Sequence, residues 1–205
     1  SPQLTGPIKA PTPFVSQWNK AAGNGGNNCG PASLVMAAAR YGKQLDLEET
    51  AKKLRTSLNV GPGEETDFQD AEDLLPPELA IVNITSFESV KEHLDQGHPV
   101  IVLVHNDYYV RDSDTGLIPY PKRAGYSRDV NADGSLGGYI PHIVVVTGYD
   151  DKNVYFNDPL AVHYVPGEGT VADENTGTNF STPIETFTQA ATAASGSDWH
   201  ASAVI

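Results

Sequence analysis

Asn27-Asn28-Cys29-Gly30-Pro31-Ala32-Ser33-Leu34-Val35-Met36 places the single cysteine of a 205-residue chain at the mouth of a helix. One cysteine forms no internal disulfide and offers no thiolate pair to a metal, so the sulfur is either an inert buried thiol or a reactive one. The flanks favour reactivity. Gly23, Gly25, Gly26 and the neighbouring asparagines make a flexible run before Cys29, and Leu34, Val35, Ala37, Ala38 and Ala39 make a small apolar helix after it, with Pro31 suited to a first turn. Free backbone N–H groups and about half a positive charge gather at a helix N-terminus, and both favour thiolate over thiol.

A thiolate nucleophile needs an imidazole within reach and a third group to orient that imidazole. The chain has six histidines. His93 and His98, in and after an amphipathic stretch, read as surface residues; His105, His163 and His200 read as surface or strand-end residues. His142 stands apart because it opens Ile143-Val144-Val145-Val146-Thr147-Gly148-Tyr149, a continuous apolar run expected of a buried strand. The polar turn Asp150-Asp151-Lys152-Asn153 and the strand Val154-Tyr155-Phe156-Asn157 follow, ending in Asp158-Pro159. Hairpin pairing brings Asp158 back towards the level of His142, although Asp-Pro is also a common turn dipeptide. An acyl-transfer oxyanion needs a donor beyond the nucleophile's own N–H, and Gln17, beside Trp18, offers a neutral amide; the same pair also reads as a surface residue beside a core anchor.

Taken together, Ser16-Gln17-Trp18, Asn28-Cys29-Gly30-Pro31-Ala32-Ser33, Pro141-His142 with the apolar run to Tyr149, and Asn157-Asp158-Pro159 resemble the papain-like superfamily of cysteine peptidases, in the branch of the bacteriocin-processing (double-glycine) peptidases. The resemblance implies a papain-like α+β fold. It also implies Cys29 as nucleophile, His142 as general base and then acid, Asp158 as imidazole orienter and Gln17 as oxyanion donor, with no cofactor required. The chain departs from the exporter members of that family, since it carries neither an apolar run of ~18 residues nor a phosphate-cradling glycine loop. A thiol hydrolase of peptide or peptide-like amide bonds is therefore expected. A transglutaminase-like acyl transferase, a cell-wall amide hydrolase and an inactive papain-like binding module remain as alternatives.

Composition sets the remaining bounds. Residues 1–13, with prolines at 2, 7, 11 and 13, read as an extended arm lying on the surface or loosely ordered, and 14–205 as a single domain. A net charge of −13 opposes binding to nucleic acid or anionic lipid and favours a neutral or basic polymer substrate. No membrane insertion is expected. A small polar start without methionine is compatible with a removed export signal, so a secreted or cell-surface location is expected, with the cytoplasm as the other choice.

Helices are expected from Asp46 to about Arg55 behind a capping box, Asp67 to Leu75, Ser86 to Gln96, and Pro183 to Ala194. Strands are expected at Ala80 to Ile84, Val100 to Val104, on the hairpin extended by Ala161 to Val165, and at Ala201 to Ile205. Helices first and antiparallel strands late is an α+β order. Two long irregular segments, 106–139 and 166–182, are left over. Within the first, Asp129, Asn131, Asp133 and Ser135 lie at alternating positions around Gly134, like the start of an EF-hand loop, so a structural calcium ion is one reading and an Asx-rich turn the other.

Overall fold

In a computed structural model the structure describes residues 6–18, 27–61, 66–69, 71–105, 141–165, 169–172 and 174–205. Their elements are α1 (Cys29–Ala39), α2 (Leu47–Ser57), β1 (Ile81–Ile84), α3 (Phe87–Asp95), β2 (Val100–His105), β3 (Pro141–Tyr149), β4 (Asn153–Asn157), β5 (Val162–Val165), β6 (Gly169–Ala172), α4 (Glu174–Gly177), β7 (Phe180–Pro183), α5 (Ile184–Ser195) and β8 (Ala201–Val204). Local chemistry accounts for two of the helix starts. Asp46 caps α2 by accepting from Glu49 N–H at 2.8 Å, and Ser86 caps α3 by accepting from Ser89 N–H at 3.3 Å.

The main sheet runs β1-β8-β2-β3-β4-β7, every neighbour antiparallel. Alternation along β2 and β3 divides its residues between two cores. Val100, Val102, Val104, Val144 and Val146 pack with Val90 and Leu94 of α3 and with Phe187, Ala190 and Ala191 of α5. Ile101, Ile143 and Val145 pack with Leu34, Met36, Ala37 and Ala38 of α1 and Leu54 of α2. Because α1 is buried from Gly30 to Ala38, its sequence is apolar on all sides rather than on one stripe. This is the α+β architecture expected from the sequence, with helices packed on an antiparallel sheet.

Three local expectations need correction. No helix spans Asp67 to Leu75: Asp67 Oδ1 takes the Phe68 and Gln69 N–H groups at 2.6 and 3.1 Å in a side-chain turn, and only a short 3-10 turn, Glu72–Leu74, forms before Pro76. Val162–Val165 does not extend the main hairpin. Its partner is β6, while β4 takes β7, because the chain turns out of the sheet at Asp158-Pro159-Leu160. Segment 166–182, read as irregular, thus contains β6, α4 and most of β7.

The arm is not loosely ordered over its described part. Lys9 and Ala10 both donate to Thr147 O at 2.9 Å, Tyr149 N–H donates to Pro7 O at 2.9 Å, and Ala10 is fully buried. Backbone bonds of this kind are indifferent to side-chain identity, so a proline-rich composition conceals them. The arm lies so close over β3 that a Cβ on Gly148 would overlap the Pro7 carbonyl and lie 2.8 Å from Ile8 Cα. Gly148→Ala is expected to cost about 1–3 kcal/mol through this overlap, lowering the calorimetric midpoint by several degrees and opening the segment before Pro11 to limited proteolysis. An unchanged midpoint and cleavage pattern would mean the arm is not seated there.

Candidate active site

Cys29 is the first residue of α1, and Asn28 precedes it at the N-cap position. The Asn28 side chain does not cap the helix. It accepts instead from Arg55 Nη2 at 2.7 Å, and the same nitrogen donates to Asn27 O at 3.2 Å. A buried guanidinium at the end of α2 thus holds the two residues before the thiol, and the first-turn N–H groups carry no side-chain cap. Arg55 was legible in the sequence only as the end of a helix.

His142 enters β3 and is 3 % exposed, while Asp158, just beyond β4, is fully buried. The two are hydrogen-bonded, His142 Nε2 to Asp158 Oδ1, at 2.7 Å. A β-bulge interrupts the hairpin that joins the two residues. Val145 pairs with Asn157 and Val146 with Phe156, but Gly148 pairs with Tyr155, so Thr147 is an extra residue on β3.

The end of β4 is fixed from several sides. Asp158 N–H donates to Gly177 O at 2.9 Å and Asp158 Oδ1 also accepts from Leu160 N–H at 2.9 Å. A Cβ on Gly177 would press on Phe14 and lie 2.9 Å from Asp158 O, so glycine permits α4 to close over this turn. Buried Asn157 donates through Nδ2 to Thr12 O at 2.8 Å and accepts from Asn179 N–H at 2.9 Å. Gln17 is buried beside the same turn: its N–H donates to Pro159 O at 2.9 Å, and Trp18 Nε1 donates to Leu160 O at 3.3 Å.

The Cys29 side chain is hydrogen-bonded to the His142 ring. Cys29, His142 and Asp158 are therefore brought together, and Gln17 is tied to the Asp158 end of the group. Asp129, Asn131, Asp133 and Ser135, with the calcium reading, lie outside the described residues. Among the described residues there is no group of three or more His, Cys, Asp or Glu side chains suited to a metal, and no helix is long and apolar enough to cross a membrane.

The sequence reading missed one histidine. His200 is not merely a surface or strand-end residue: it lines the same cavity as Cys29 and its Nε2 bonds Asp67 Oδ1 at 2.8 Å. The signal was available only through strand order, because β8 reaches the centre of the sheet by pairing with β2.

The profile of the Peptidase_C39 like family matches residues 10–180. A solved C39-like peptidase from Bacillus anthracis is 19 % identical over 98 % of each chain, with a TM-score of 0.58. The peptidase domain of Streptococcus ComA, a bifunctional ABC transporter of a quorum-sensing pathway, is 17 % identical over 94 % of this chain and 95 % of that one, with a TM-score of 0.46. A double-glycine-motif protease from an AMS/PCAT transporter, solved with its leader peptide, is 17 % identical over 98 % of this chain and 97 % of that one, also at 0.46. No curated protein matches.

Electrostatics of the pair bear on both stability and chemistry. Burial alone would push the His142 imidazole down, but the Asp158 charge and hydrogen bond, with the Cys29 hydrogen bond and charge, raise it from 6.5 to about 10. The folded protein then keeps a proton that the unfolded chain releases near 6.5. Stabilisation from this group is full below 6.5 and is lost as the pH climbs through about 10. The wild-type melting midpoint is expected to fall between these limits, and the His142→Gln variant to show a flatter dependence over the same window. Parallel profiles for the two proteins would contradict the raised imidazole.

Proposed function

The chain belongs to the Peptidase_C39 like family, and on that premise we propose that it is a cysteine peptidase, cleaving peptide or peptide-like amide bonds through an acyl-enzyme on Cys29. The observation that carries the reading is the chain of contacts from the half-buried Cys29 thiol through the buried His142 ring to Asp158 Oδ1. It supplies a nucleophile, a proton carrier and an orienter in hydrogen-bond sequence.

With the proton on His142, the Cys29 thiolate attacks the scissile carbonyl carbon and its oxygen takes up negative charge. The Cys29 N–H, at a helix start with no side-chain cap, and the Gln17 amide are the donors for that oxyanion. Collapse of the tetrahedral species breaks the C–N bond as His142 gives its proton to the departing amine. The ring, now neutral, takes a proton from water as the water attacks the thioester, and returns it to the sulfur when the acid product leaves. Asp158 keeps the ring turned towards the thiol throughout, since its bond to Nε2 leaves Nδ1 as the only nitrogen for proton transfer.

Cys29→Ala is expected to abolish cleavage of a broad peptide library while the fold persists, and residual activity above about a thousandth of wild type would remove Cys29 from the role of nucleophile. His142→Ala should be nearly as damaging. Asp158→Asn and Gln17→Ala should each cost on the order of tenfold to a thousandfold in kcat/KM. Dependence on His200 with His142 dispensable would overturn the assignment.

A further inference from the structure

Beside Cys29 the cleft opens into a cavity of about 240 Å³, lined by Thr66, Asp67, Phe68, Leu103, Ile143 and His200. This is below the roughly 300–1,000 Å³ of sites for drug-sized ligands and suits one extended side chain. Its apolar part is built from β2, β3 and the turn that carries Phe68. Leu103 pairs with Ile143 on β3, and Leu103 N–H donates to His200 O at 2.9 Å. Phe68 packs against the His200 ring with centroids 5.1 Å apart.

Two side-chain oxygens of residues that line this cavity accept no hydrogen bond among the described residues. Thr66 is 8 % exposed, and its Oγ1 is buried with no hydrogen-bond partner among the described residues. A buried hydroxyl without a partner is uncommon in a native structure. Asp67 uses Oδ1 for the Phe68 N–H, the Gln69 N–H and His200 Nε2, at 2.6, 3.1 and 2.8 Å, whereas Oδ2 accepts no hydrogen bond among the described residues. Burial pushes the Asp67 carboxyl up, yet the bonds from His200 and the two backbone N–H groups hold it below its ordinary value, so it presents a charge at neutral pH. The net charge of −13 points the same way, towards a basic ligand.

We propose that this cavity is the subsite for a basic side chain, lysine or arginine, of the peptide substrate close to the scissile bond. The methylenes lie on Phe68, Leu103 and Ile143, and the terminal N–H groups donate to Asp67 Oδ2 and Thr66 Oγ1. An ammonium or guanidinium carries donors and no acceptor, which is what two unclaimed oxygens require. A long apolar stem ending in a charge fits a cavity with an apolar floor and a carboxylate at its side. The assignment rests on Cys29 being the peptidase nucleophile.

Peptidyl chloromethyl ketones that differ only in lysine against norleucine, at each of the two residues preceding the ketone, test it by the rate at which Cys29 is labelled, read by mass spectrometry. At one of the two positions the lysine probe should label wild type roughly tenfold faster or more, as a charge-assisted hydrogen bond provides. Asp67→Asn, which retains an Oδ1 acceptor for the backbone, should bring that ratio close to one. Thr66→Val, which removes only the hydroxyl, should lower the same ratio. Equal rates for the two probes at both positions, or a lysine preference that survives Asp67→Asn, would overturn the subsite and leave the peptidase reading intact. A Cys29 that reacts with iodoacetamide no faster than a free thiol would remove the peptidase reading, and this assignment with it.

Discussion

The bond between His142 Nε2 and Asp158 Oδ1, 2.7 Å long and sealed from water, is the constraint around which this molecule is arranged. A buried imidazole and a buried carboxylate are each costly alone, and breaking such a pair by removing one partner is far more damaging than replacing both. In the hairpin that joins them, Thr147 stands outside the β3–β4 ladder. Thr147 is in turn held: its carbonyl accepts two backbone bonds from the arm, and its hydroxyl donates to Asn179 Oδ1 at 2.7 Å. The arm, the bulge and the turn after β4 thus form one connected support.

The other half of the site is held by different means. α1 is enclosed by the sheet on one side and α2 on another, so its first turn has little freedom to move. Arg55 fixes the approach to that turn by binding Asn28 and the Asn27 carbonyl. Cys29 and His142 therefore come from two independently packed elements, a helix start and a strand start, whose meeting point is the cleft. Arranging them in this way allows rigid positioning of both reacting groups without a short-range sequence motif joining them.

What the sequence made legible follows the range of the interactions involved. Cys29 at a helix start and the hairpin carrying His142 and Asp158 are local features, decided by residues within about a turn or a strand of each other. The capping of α2 by Asp46 is local in the same sense. Asp67 and His200, by contrast, lie 133 positions apart and meet because β8 crosses to the centre of the sheet, which neither residue's neighbours foretell. β5 was misplaced because a short strand after a proline turn carries no signal for which partner it takes. The bulge at Thr147 was invisible for a related reason, since one extra residue in an apolar run leaves the run's composition unchanged. Arg55 hid in a polar helix end, where a basic residue is ordinarily solvated.

The central claim, acyl transfer to Cys29 with His142 as the proton carrier, is most directly tested by trapping the intermediate. The protein is mixed with the p-nitrophenyl ester of a short N-acylated peptide, quenched in acid within the first turnovers, and weighed intact before the adduct is mapped. One acyl group on Cys29, formed in wild type, discharged on standing and absent from His142→Ala, is the result predicted here. An acyl group on another residue, or one formed on Cys29 at the same rate without His142, would contradict the account.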